Sequence, residues 1–408
     1  MDSKNRNAWL VVLGSTLSLI VSNGPILFFT FAVFLKPISD QLGWSRGEMS
    51  LAVTAGLFLG GFATPFAGIA IDRWGIRRVT LVVITLFAAT FALISQTTAN
   101  VTVFILLYAI CGVFASGQAP LPYAKAISGW FEDRRGLALG IAMAGVGVGV
   151  AVMPQVTRAL LNSFDWRSVY LMVGLITWLV AFPSVFFFVK DPPKEQGARG
   201  GAAVTEGDDM AFALRHRVFW LIVIAAFLLV VAINGVIAHM VALLTDHGVP
   251  GSVAVRMLVA VGLSTIVGRL LSGYLLDRFF APYLAAAIFL VPLIGVLILL
   301  SGTTIIPLVV IAAICLGLGL GAEVDIIGFL VGRYFGLRRY GEIYGYIFAV
   351  FTVGTGVGPY LMGVSFDATA NYKAALAGFC VLLVLSSVLI AMLGPYRYPP
   401  RTVAHAAS

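Results

Sequence analysis

The sequence is poor in charged residues. Only 11% of its 408 residues are Asp, Glu, Lys or Arg, whereas 60% are hydrophobic, and the mean hydropathy is +1.01. A soluble globular domain carries about 25% charged residues, so a water-soluble fold of this length could not cover its apolar residues. The composition excludes a cytoplasmic enzyme, a nucleic-acid-binding protein and a disordered regulator, and it indicates a chain whose solvent is mostly lipid.

Residue patterns that form catalytic, metal or disulfide sites are also missing. Cys111, Cys315 and Cys380 each lie inside an apolar run without disulfide or metal-ligand spacing, so we interpret them as small buried hydrophobes. The sequence has no Gly-rich phosphate loop with Lys and Ser or Thr, which disfavours ATP-driven transport. It also has no His/Cys/Asp cluster and no nucleophile triad. We therefore expect no enzyme activity and no cofactor.

Apolar runs bounded by charge, Gly or Pro predict twelve membrane-spanning helices. They cover approximately residues 9–35, 47–71, 78–97, 101–129, 136–162, 168–190, 218–245, 253–276, 281–301, 304–333, 342–365 and 373–394. The first run is full length and has no early cleavage site, so we interpret it as a retained helix rather than a signal peptide. An even number of spans places both termini on one side of the membrane.

Lys and Arg are distributed unevenly between the predicted loops. With both termini in the cytoplasm, 18 of the 26 basic residues lie inside and five lie outside. Cytoplasmic loops are enriched in Lys and Arg, so the bias predicts a multi-pass protein of the cytoplasmic (inner) membrane with cytoplasmic termini. The net charge of +8 then reflects orientation, and no nucleic-acid partner is expected.

The one long polar loop, residues 190–217, lies near the middle of the chain and is rich in Gly, Pro and charge. We interpret it as a flexible cytoplasmic linker. The predicted organisation is an N-terminal six-helix bundle at residues 1–190, a linker at 191–217 and a C-terminal six-helix bundle at 218–408.

Short patterns recur on the two sides of this linker, in the same order and at offsets of 204 to 211 residues. They are Trp9 with Trp220, Asn23-Gly24 with Asn234-Gly235, Gly68-x-x-x-Asp72-Arg73 with Gly273-x-x-x-Asp277-Arg278, Phe131-x-x-Arg134-Arg135 with Phe335-x-x-Arg338-Arg339, and Gly-rich runs ending at Pro154 and Pro359. The recurrence predicts a duplicated six-helix unit. Two such halves around a central site are the architecture of alternating-access carriers.

One of these patterns carries a family resemblance. The segment GIAIDRWGIRR at Gly68–Arg78 resembles the loop between helices 2 and 3 of the major facilitator superfamily, and a shorter copy ends at Asp277 and Arg278. The resemblance implies an all-α membrane fold of two pseudo-symmetric six-helix bundles. We predict that Asp72, Arg73, Asp277 and Arg278 gate the cytoplasmic face, where a carboxylate can face helix N-termini. The alternative is that the arginines only hold their loops inside.

Four further segments resemble monocarboxylate transporters and bacterial oxalate/formate carriers. They are RRGLALGIAMAG at Arg134–Gly145, FAVFLKPISDQLGWSR at Phe31–Arg46 as a first external loop, and Arg333–Gly336 together with Gly354–Pro359. Asn23-Gly24-Pro25 stands where animal members have an acidic-Gly-aromatic signature. The helix-4 Arg motif and helix-5 Gly-Pro motif of drug/proton antiporters are missing, so the resemblance implies a carrier of a small organic anion.

A charge inside a membrane span costs roughly 2.5–3.5 kcal/mol and is a functional hypothesis by default, and four charged residues of the predicted spans stand out. They are Arg269 on helix 8, Glu323 and Asp325 on helix 10, and Lys125 near the cytoplasmic end of helix 4. Arg269 and Asp325 each lie eight residues before a residue that marks the inner surface. At 1.5 Å per residue both are about 12 Å deep, so we predict that they share a depth.

We predict that Arg269 binds the substrate carboxylate, since a guanidinium can grip a carboxylate with two hydrogen bonds. In the resembling family a helix-8 Arg at this position is the carboxylate ligand, although Thr265 replaces the acidic residue that animal members have one turn earlier. Asp325 or Glu323 then holds the Arg269 charge in the empty site or carries a coupling proton. The alternative is a permanent ion pair that only fixes helices 8 and 10. Lys125 is either a second anion contact or a snorkelling surface residue.

Several polar side chains are further candidates for lining a substrate cavity. They are Asn23 and Asn234 at mid-depth in helices 1 and 7, His239 on helix 7, and Tyr123 and Gln118 on helix 4. Gly24-Pro25 should weaken or kink helix 1 beside Asn23. For the two Asn residues the competing interpretation is hydrogen bonding between packed helices, and for His239 it is a satisfied interfacial His. Tyr123 and Gln118 are weaker candidates.

Together these patterns predict a secondary active transporter, working as a monomer, for a small monocarboxylate-like anion coupled to protons or to a counter-anion. The alternative is an exporter or importer of the same superfamily for a drug, an amphiphile or a sugar. A membrane receptor or enzyme is disfavoured by the duplicated halves and by the lack of a polar extramembrane domain.

Overall fold

The computed structural model describes residues 3–97, 100–131, 135–191, 207–276, 278–336 and 338–398, without the side chains of residues 3–5, 72, 135 and 136. This part of the chain is almost entirely helical. Twelve of its segments are long and apolar enough to cross a membrane, which confirms the predicted all-α fold with twelve spans.

Nine of the spans in the described chain are single helices. They are Arg46–Trp74 (span 2), Arg135–Leu161 (span 5), Trp166–Phe188 (span 6), Arg217–Asp246 (span 7), Gly251–Leu276 (span 8), Ala281–Leu300 (span 9), Ile306–Phe335 (span 10), Tyr340–Thr369 (span 11) and Lys373–Ala391 (span 12). Span 3 is Ile76–Leu93 with a final 3₁₀ turn at Ile94–Gln96, and span 4 joins Val101–Ala115, Ser116–Gln118 and Pro120–Trp130. Span 1 is also composite, with helices Ser3–Ile20 and Phe31–Leu42 on either side of a π-helix at Gly24–Phe29.

The break in span 1 lies at the predicted place. Pro25 has no backbone N–H to donate to the helix, and the chain passes through a π-helix here before the regular helix resumes. Gly149 of span 5 packs against this break, because a Cβ at position 149 would fall on the backbone oxygen of Ile20 and 2.6 Å from Pro25 Cγ. A glycine at 149 therefore lets span 5 approach the broken turn closely.

Span 1 continues further than its apolar pattern predicted. Phe31–Leu42 is helical, so most of the segment expected as a first external loop is helix, and that expectation was wrong. Lys36 does not end the helix, since Lys favours helical structure, and its amine pairs with Asp40 at 3.8 Å and with Asp246 at 2.6 Å. Gly43, with a φ of 68°, ends the helix in the left-handed conformation that favours glycine.

Residues 207–217 differ from the flexible linker that the composition predicted. They hold a short helix, Met210–Arg215, and Asp208 N donates to Phe335 O at 2.8 Å. Arg397 donates to the Asp208 carboxylate at 2.8 Å. These bonds attach the end of the predicted linker to the end of span 10 and to the segment that follows span 12. The division between two bundles at residue 218 stays a prediction.

The first six spans and the last six meet near one face of the membrane. We call the face at which span 1 begins and span 12 ends the terminus face, and the other the opposite face. Span 2 begins at the opposite face and packs against the end of span 11, where Thr54 donates to Gly356 O at 2.6 Å. Gln155 of span 5 likewise donates to Val255 O of span 8 at 2.7 Å.

Toward the terminus face the same spans diverge. The close approach of spans 2 and 11 extends as far as Gly61 and Thr352, whose γ-methyl lies 3.1 Å from a Cβ built at 61. Beyond this point Phe66 is 71% exposed and Tyr346 is 57% exposed. The halves are therefore joined at the opposite face, and the space between them opens at the terminus face.

Candidate functional site

A tight contact between spans 8 and 10 builds the candidate site. A Cβ at Gly321 would fall on the backbone oxygen of Thr265 and 3.0 Å from the backbone nitrogen of Arg269, and Gly268 packs as closely on Leu318. Small residues permit such backbone contact between membrane helices. Asp325 lies one helical turn after Gly321 and thus on the same face of span 10. The glycine contact therefore brings Asp325 to Arg269.

Arg269 and Asp325 form a loose ion pair. Arg269 Nε lies 3.4 Å from Asp325 Oδ2, and the two side chains remain 36% and 37% exposed. Nε itself is buried and has no hydrogen-bond partner within the described chain. A guanidinium in this state can exchange its partner for a ligand carboxylate without losing a well-formed hydrogen bond.

Glu323 lies two residues before Asp325 but in a different environment. Only 2% of the residue is exposed, and Oε2 has no hydrogen-bond partner among the residues described. Glu323 lies one turn after Gly319, where a Cβ would lie 3.1 Å from Ile233 of span 7 and would also contact Pro292 of span 9. Its face of span 10 is therefore turned into the second half of the protein, away from the face of Gly321.

The candidates on span 4 form a closed hydrogen-bond network. Tyr123 Oη lies 2.7 Å from Ser18 Oγ and donates to Gln118 Oε1 at 3.0 Å, and Gln118 Nε2 lies 3.2 Å from Ser18 Oγ. Tyr123 and Gln118 are both fully buried. Because their polar atoms are satisfied inside the first half, the arrangement favours bonding between spans 1 and 4 over contact with a ligand.

Asn23 and Asn234 hydrogen bond within their own spans. Asn23 Oδ1 accepts from Gly24 N at 2.8 Å and so supports the break in span 1. Asn234 is buried, and its Nδ2 donates to Val230 O at 3.1 Å. Asn23 is half-buried, so of the two it is the better placed to contact a ligand.

The charged candidates near the terminus face are dispersed. Lys125, Arg73 and Arg278 are exposed, and the two arginines lie over aromatic rings, Arg73 5.7 Å from the centroid of Trp74 and Arg278 4.0 Å from that of Tyr274. The predicted gating carboxylates, Asp277 and the side chain of Asp72, lie outside the described residues.

A charged cluster at the opposite face was not predicted from the sequence. Asp246, at the end of span 7, accepts from Lys36 of span 1 at 2.6 Å and from Arg46 of span 2 at 2.5 Å. Asp367, at the end of span 11, accepts from the backbone nitrogens of Arg46 and Gly47 at 2.9 and 2.8 Å. Both carboxylates belong to the second half of the chain, and every donor belongs to the first.

Aromatic residues enclose the guanidinium of this cluster. Arg46 lies 3.7 Å from the ring centroid of Phe366 and donates to Tyr372 Oη. Tyr372 in turn contacts the buried candidate His239, whose Nδ1 lies 3.1 Å from Tyr372 Oη. His239 Nε2 lies 2.9 Å from Ser50 Oγ of span 2. His239 therefore bonds across the junction of the halves. We call Lys36, Arg46, Asp246, Asp367 and Tyr372 the opposite-face lock.

The sequence and the fold are both similar to those of known proteins. The sequence profile of the Major Facilitator Superfamily matches residues 17–348. The chain belongs to the major facilitator superfamily. It is a multi-pass membrane transporter of that superfamily and not an enzyme.

Named relatives agree with the resemblance found in the sequence. Monocarboxylate transporter 13 of Rattus norvegicus is 27% identical over 94% of this chain and 88% of its own length. The oxalate:formate antiporter of Oxalobacter formigenes is 26% identical over 54% of this chain and 52% of its own length. Among solved structures, an inward-facing bacterial homologue of the human lysosomal transporter Spinster has a TM-score of 0.67 and 19% identity, with 96% of this chain and 95% of that chain covered. At that identity the likeness concerns the fold.

Proposed function

We propose that this protein is a secondary active transporter of a small, monocarboxylate-like anion and that Arg269 binds the carboxylate. The observation that carries the proposal is the state of Arg269. It is a cation within a membrane span, more than one third exposed, loosely paired with Asp325, and its Nε has no hydrogen-bond partner in the described chain. Charges within spans are rare and mark substrate or ion pathways, and Arg is suited to a planar carboxylate.

The sequence of events follows from the way the halves meet. An anion enters from the terminus face, where the halves diverge, and its carboxylate takes the place of Asp325 at Arg269. Movement of the two halves then closes the terminus face and opens the opposite face, in the alternating-access manner of two-bundle carriers. Coupling is to protons or to a counter-anion. Asn23 is the second ligand contact that we propose, since it is half-buried beside the broken turn of span 1.

The orientation and the gates belong to the same proposal. The Lys and Arg bias supports a cytoplasmic terminus face, and with that orientation the conformation described here opens to the cytoplasm of a cell that carries this protein in its inner membrane. Asp72, Arg73, Asp277 and Arg278 are the proposed gate of that face, and the protein works as a monomer. The names of the two relatives, which refer to monocarboxylates and to oxalate and formate, support an anionic substrate.

An Arg269→Gln variant tests the ligand role. Gln cannot make the charge-assisted pair of hydrogen bonds, each of which is worth roughly 1.5–3 kcal/mol, so affinity for the anion should fall by about 100-fold or more. The affinity is measured from thermal stabilisation in detergent by lactate, pyruvate, formate and oxalate, because the stabilisation increases with the ratio of ligand concentration to Kd. Uptake of the stabilising anion into proteoliposomes should fall in parallel.

Arg256→Gln is the matched control. Arg256 lies on the same span, is exposed, and bonds only to the backbone oxygen of Ser252 among the residues described, at 3.3 Å, so its loss should leave affinity unchanged. An Arg269→Gln protein that binds and transports the anion with unaltered affinity would contradict the proposal. Stabilisation of the wild type by the hydrophobic cation tetraphenylphosphonium alone would instead favour a drug or amphiphile carrier.

A further inference from the structure

The two acidic residues of span 10 differ in what surrounds them. Asp325 faces Arg269 and is 37% exposed. Glu323 is 2% exposed, and the described residues supply no hydrogen-bond donor to its Oε2. An ionised carboxylate in an apolar interior is costly unless it is paired and hydrogen-bonded, and such groups take up a proton instead. Span 10 thus carries one site that suits a charged carboxylate, at Asp325, and one that suits a neutral carboxylic acid, at Glu323.

The groups around Glu323 limit what can compensate its charge. Arg269 from span 8 and Tyr344 from span 11 interact with it electrostatically, and Asp325 lies two residues further along span 10. Spans 7 and 9 contribute no charged or titratable side chain at residues 218–238 and 284–300. Arg269 is therefore the one cation beside two carboxyl groups in the described site, and it is already paired with Asp325.

A ligand carboxylate changes this balance. With a ligand carboxylate bound at Arg269, this single cation would face three negative groups, which are the ligand, Asp325 and an ionised Glu323. A proton on Glu323 removes one of the three negative charges, so anion binding and protonation of Glu323 each strengthen the other, as reciprocal linkage requires.

We propose that Glu323 is the proton-binding residue of this transporter, whereas Asp325 is the counter-ion of Arg269. The inference rests on the proposed function and deepens it, since it selects protons as the coupling ion. One proton, taken from water in the opening of the terminus face, is on the Glu323 carboxylate before the anion binds. It leaves from the same oxygen when the anion is released at the opposite face, and no covalent bond other than O–H forms or breaks.

The protonation state can be measured without any substrate. At neutral pH the infrared spectrum of the wild type in detergent should contain the C=O stretching band of a protonated carboxylic acid. The band should be lost in Glu323→Gln and kept in Asp325→Asn. Glu342→Gln is the control, since Glu342 is exposed and paired with Arg339 at 3.3 Å, and it should also keep the band. A band of full intensity in Glu323→Gln would overturn the assignment.

The linkage is measured with pyruvate as the probe, or with whichever of lactate, formate and oxalate stabilises the wild type. Wild-type affinity should weaken as pH rises, by up to about tenfold per pH unit for one linked proton, and an imposed pH gradient should drive accumulation. Glu323→Gln, which resembles the protonated form, should bind and exchange the anion with no pH dependence and should not accumulate it.

The two proposals fail in different ways. If no anion binds the wild type, the proposed function is wrong whatever the infrared spectrum contains. If Glu323→Gln binds the anion with the pH dependence of the wild type, or still accumulates it in a pH gradient, the proton assignment is wrong and the anion carrier stands.

Discussion

An Asp246→Asn variant is expected to rest with its opposite face open. In the structure the Asp246 carboxylate joins Lys36 and Arg46, at 2.6 and 2.5 Å, across the junction of the halves. The Asn side chain leaves two cations facing each other, one of them the Arg46 guanidinium, which is buried. When the halves separate, both cations regain water. Only the conformation closed at this face is therefore destabilised.

The size of the effect follows from the burial of the pair. Removing one partner of a buried ion pair costs about 3–5 kcal/mol. Asp246 is partly exposed and Arg46 keeps its contact with Tyr372, so the lower end applies. A change of about 3 kcal/mol shifts a two-state equilibrium roughly 100-fold, which is enough to invert the preferred state of a carrier whose two states are nearly balanced.

Distances between spin labels measure this shift. The labels would be attached to cysteines in a background in which Cys111, Cys315 and Cys380 are replaced by Ala. One pair, at Ser163 and Thr304, reports on the opposite face, and the other, at Arg78 and Tyr283, reports on the terminus face; all four positions are exposed. In Asp246→Asn the first distance should lengthen and the second should shorten.

Glu342→Gln is the control for the lock. It removes an exposed ion pair at the start of span 11, where Glu342 lies 3.3 Å from Arg339. This pair does not touch the junction of the halves, so both distances should match the wild type. If Asp246→Asn also keeps the wild-type distances while folding normally by thermal denaturation, the opposite-face lock does not hold the two halves together.

Rules that concern a single span were sufficient to predict the twelve spans and the depth of the ion pair between Arg269 and Asp325. Apolar runs of about 20 residues predict membrane helices with few alternatives. The constant rise of an α-helix predicts from the sequence alone that Arg269 and Asp325 lie at the same depth in the membrane. Pro25 likewise disrupts a helix through its own missing N–H. In each case the deciding interaction lies within one span.

The lock and the difference between Glu323 and Asp325 could not be predicted in this way. The bonds of Arg46 reach residues 200 and 321 positions away, and its place at a span end is equally typical of a residue that only sets orientation. Which face of span 10 is turned toward Arg269 depends on where Gly321 meets Thr265. Such a contact between two spans is not encoded in the spacing of either one.

A Gly321→Ala variant should lose most of the anion transport proposed for this protein. The added Cβ would overlap the backbone oxygen of Thr265 and lie 3.0 Å from Arg269 N. Main-chain atoms of a packed helix cannot turn aside as a flexible side chain can, so spans 8 and 10 must move apart. Where several groups engage one ligand, a displacement of about 1 Å can cost on the order of 100-fold, and uptake of the stabilising anion into proteoliposomes should fall by that order.

The matched control is Gly273→Ala, on span 8 and nearer the terminus face. A Cβ at Gly273 has nothing within 4 Å, and replacing a helical Gly by Ala is favourable by about 0.5–1 kcal/mol, so this variant should transport normally and melt no lower than the wild type. Equal transport by the two variants would mean that the spacing of spans 8 and 10 does not set the geometry at Arg269.

Shortening the side chain of Thr265 in the Gly321→Ala variant distinguishes a backbone clash from a side-chain clash. Because the overlap at position 321 is with the main-chain oxygen of Thr265, adding Thr265→Ala to Gly321→Ala removes the hydroxyl and methyl groups but leaves the overlapping atom in place. Transport should therefore stay low in the double variant. Recovery would indicate that the Thr265 side chain, which bonds to Val261 O at 2.8 Å, had caused the defect, and the close backbone contact would then lose its role in bringing Asp325 to Arg269.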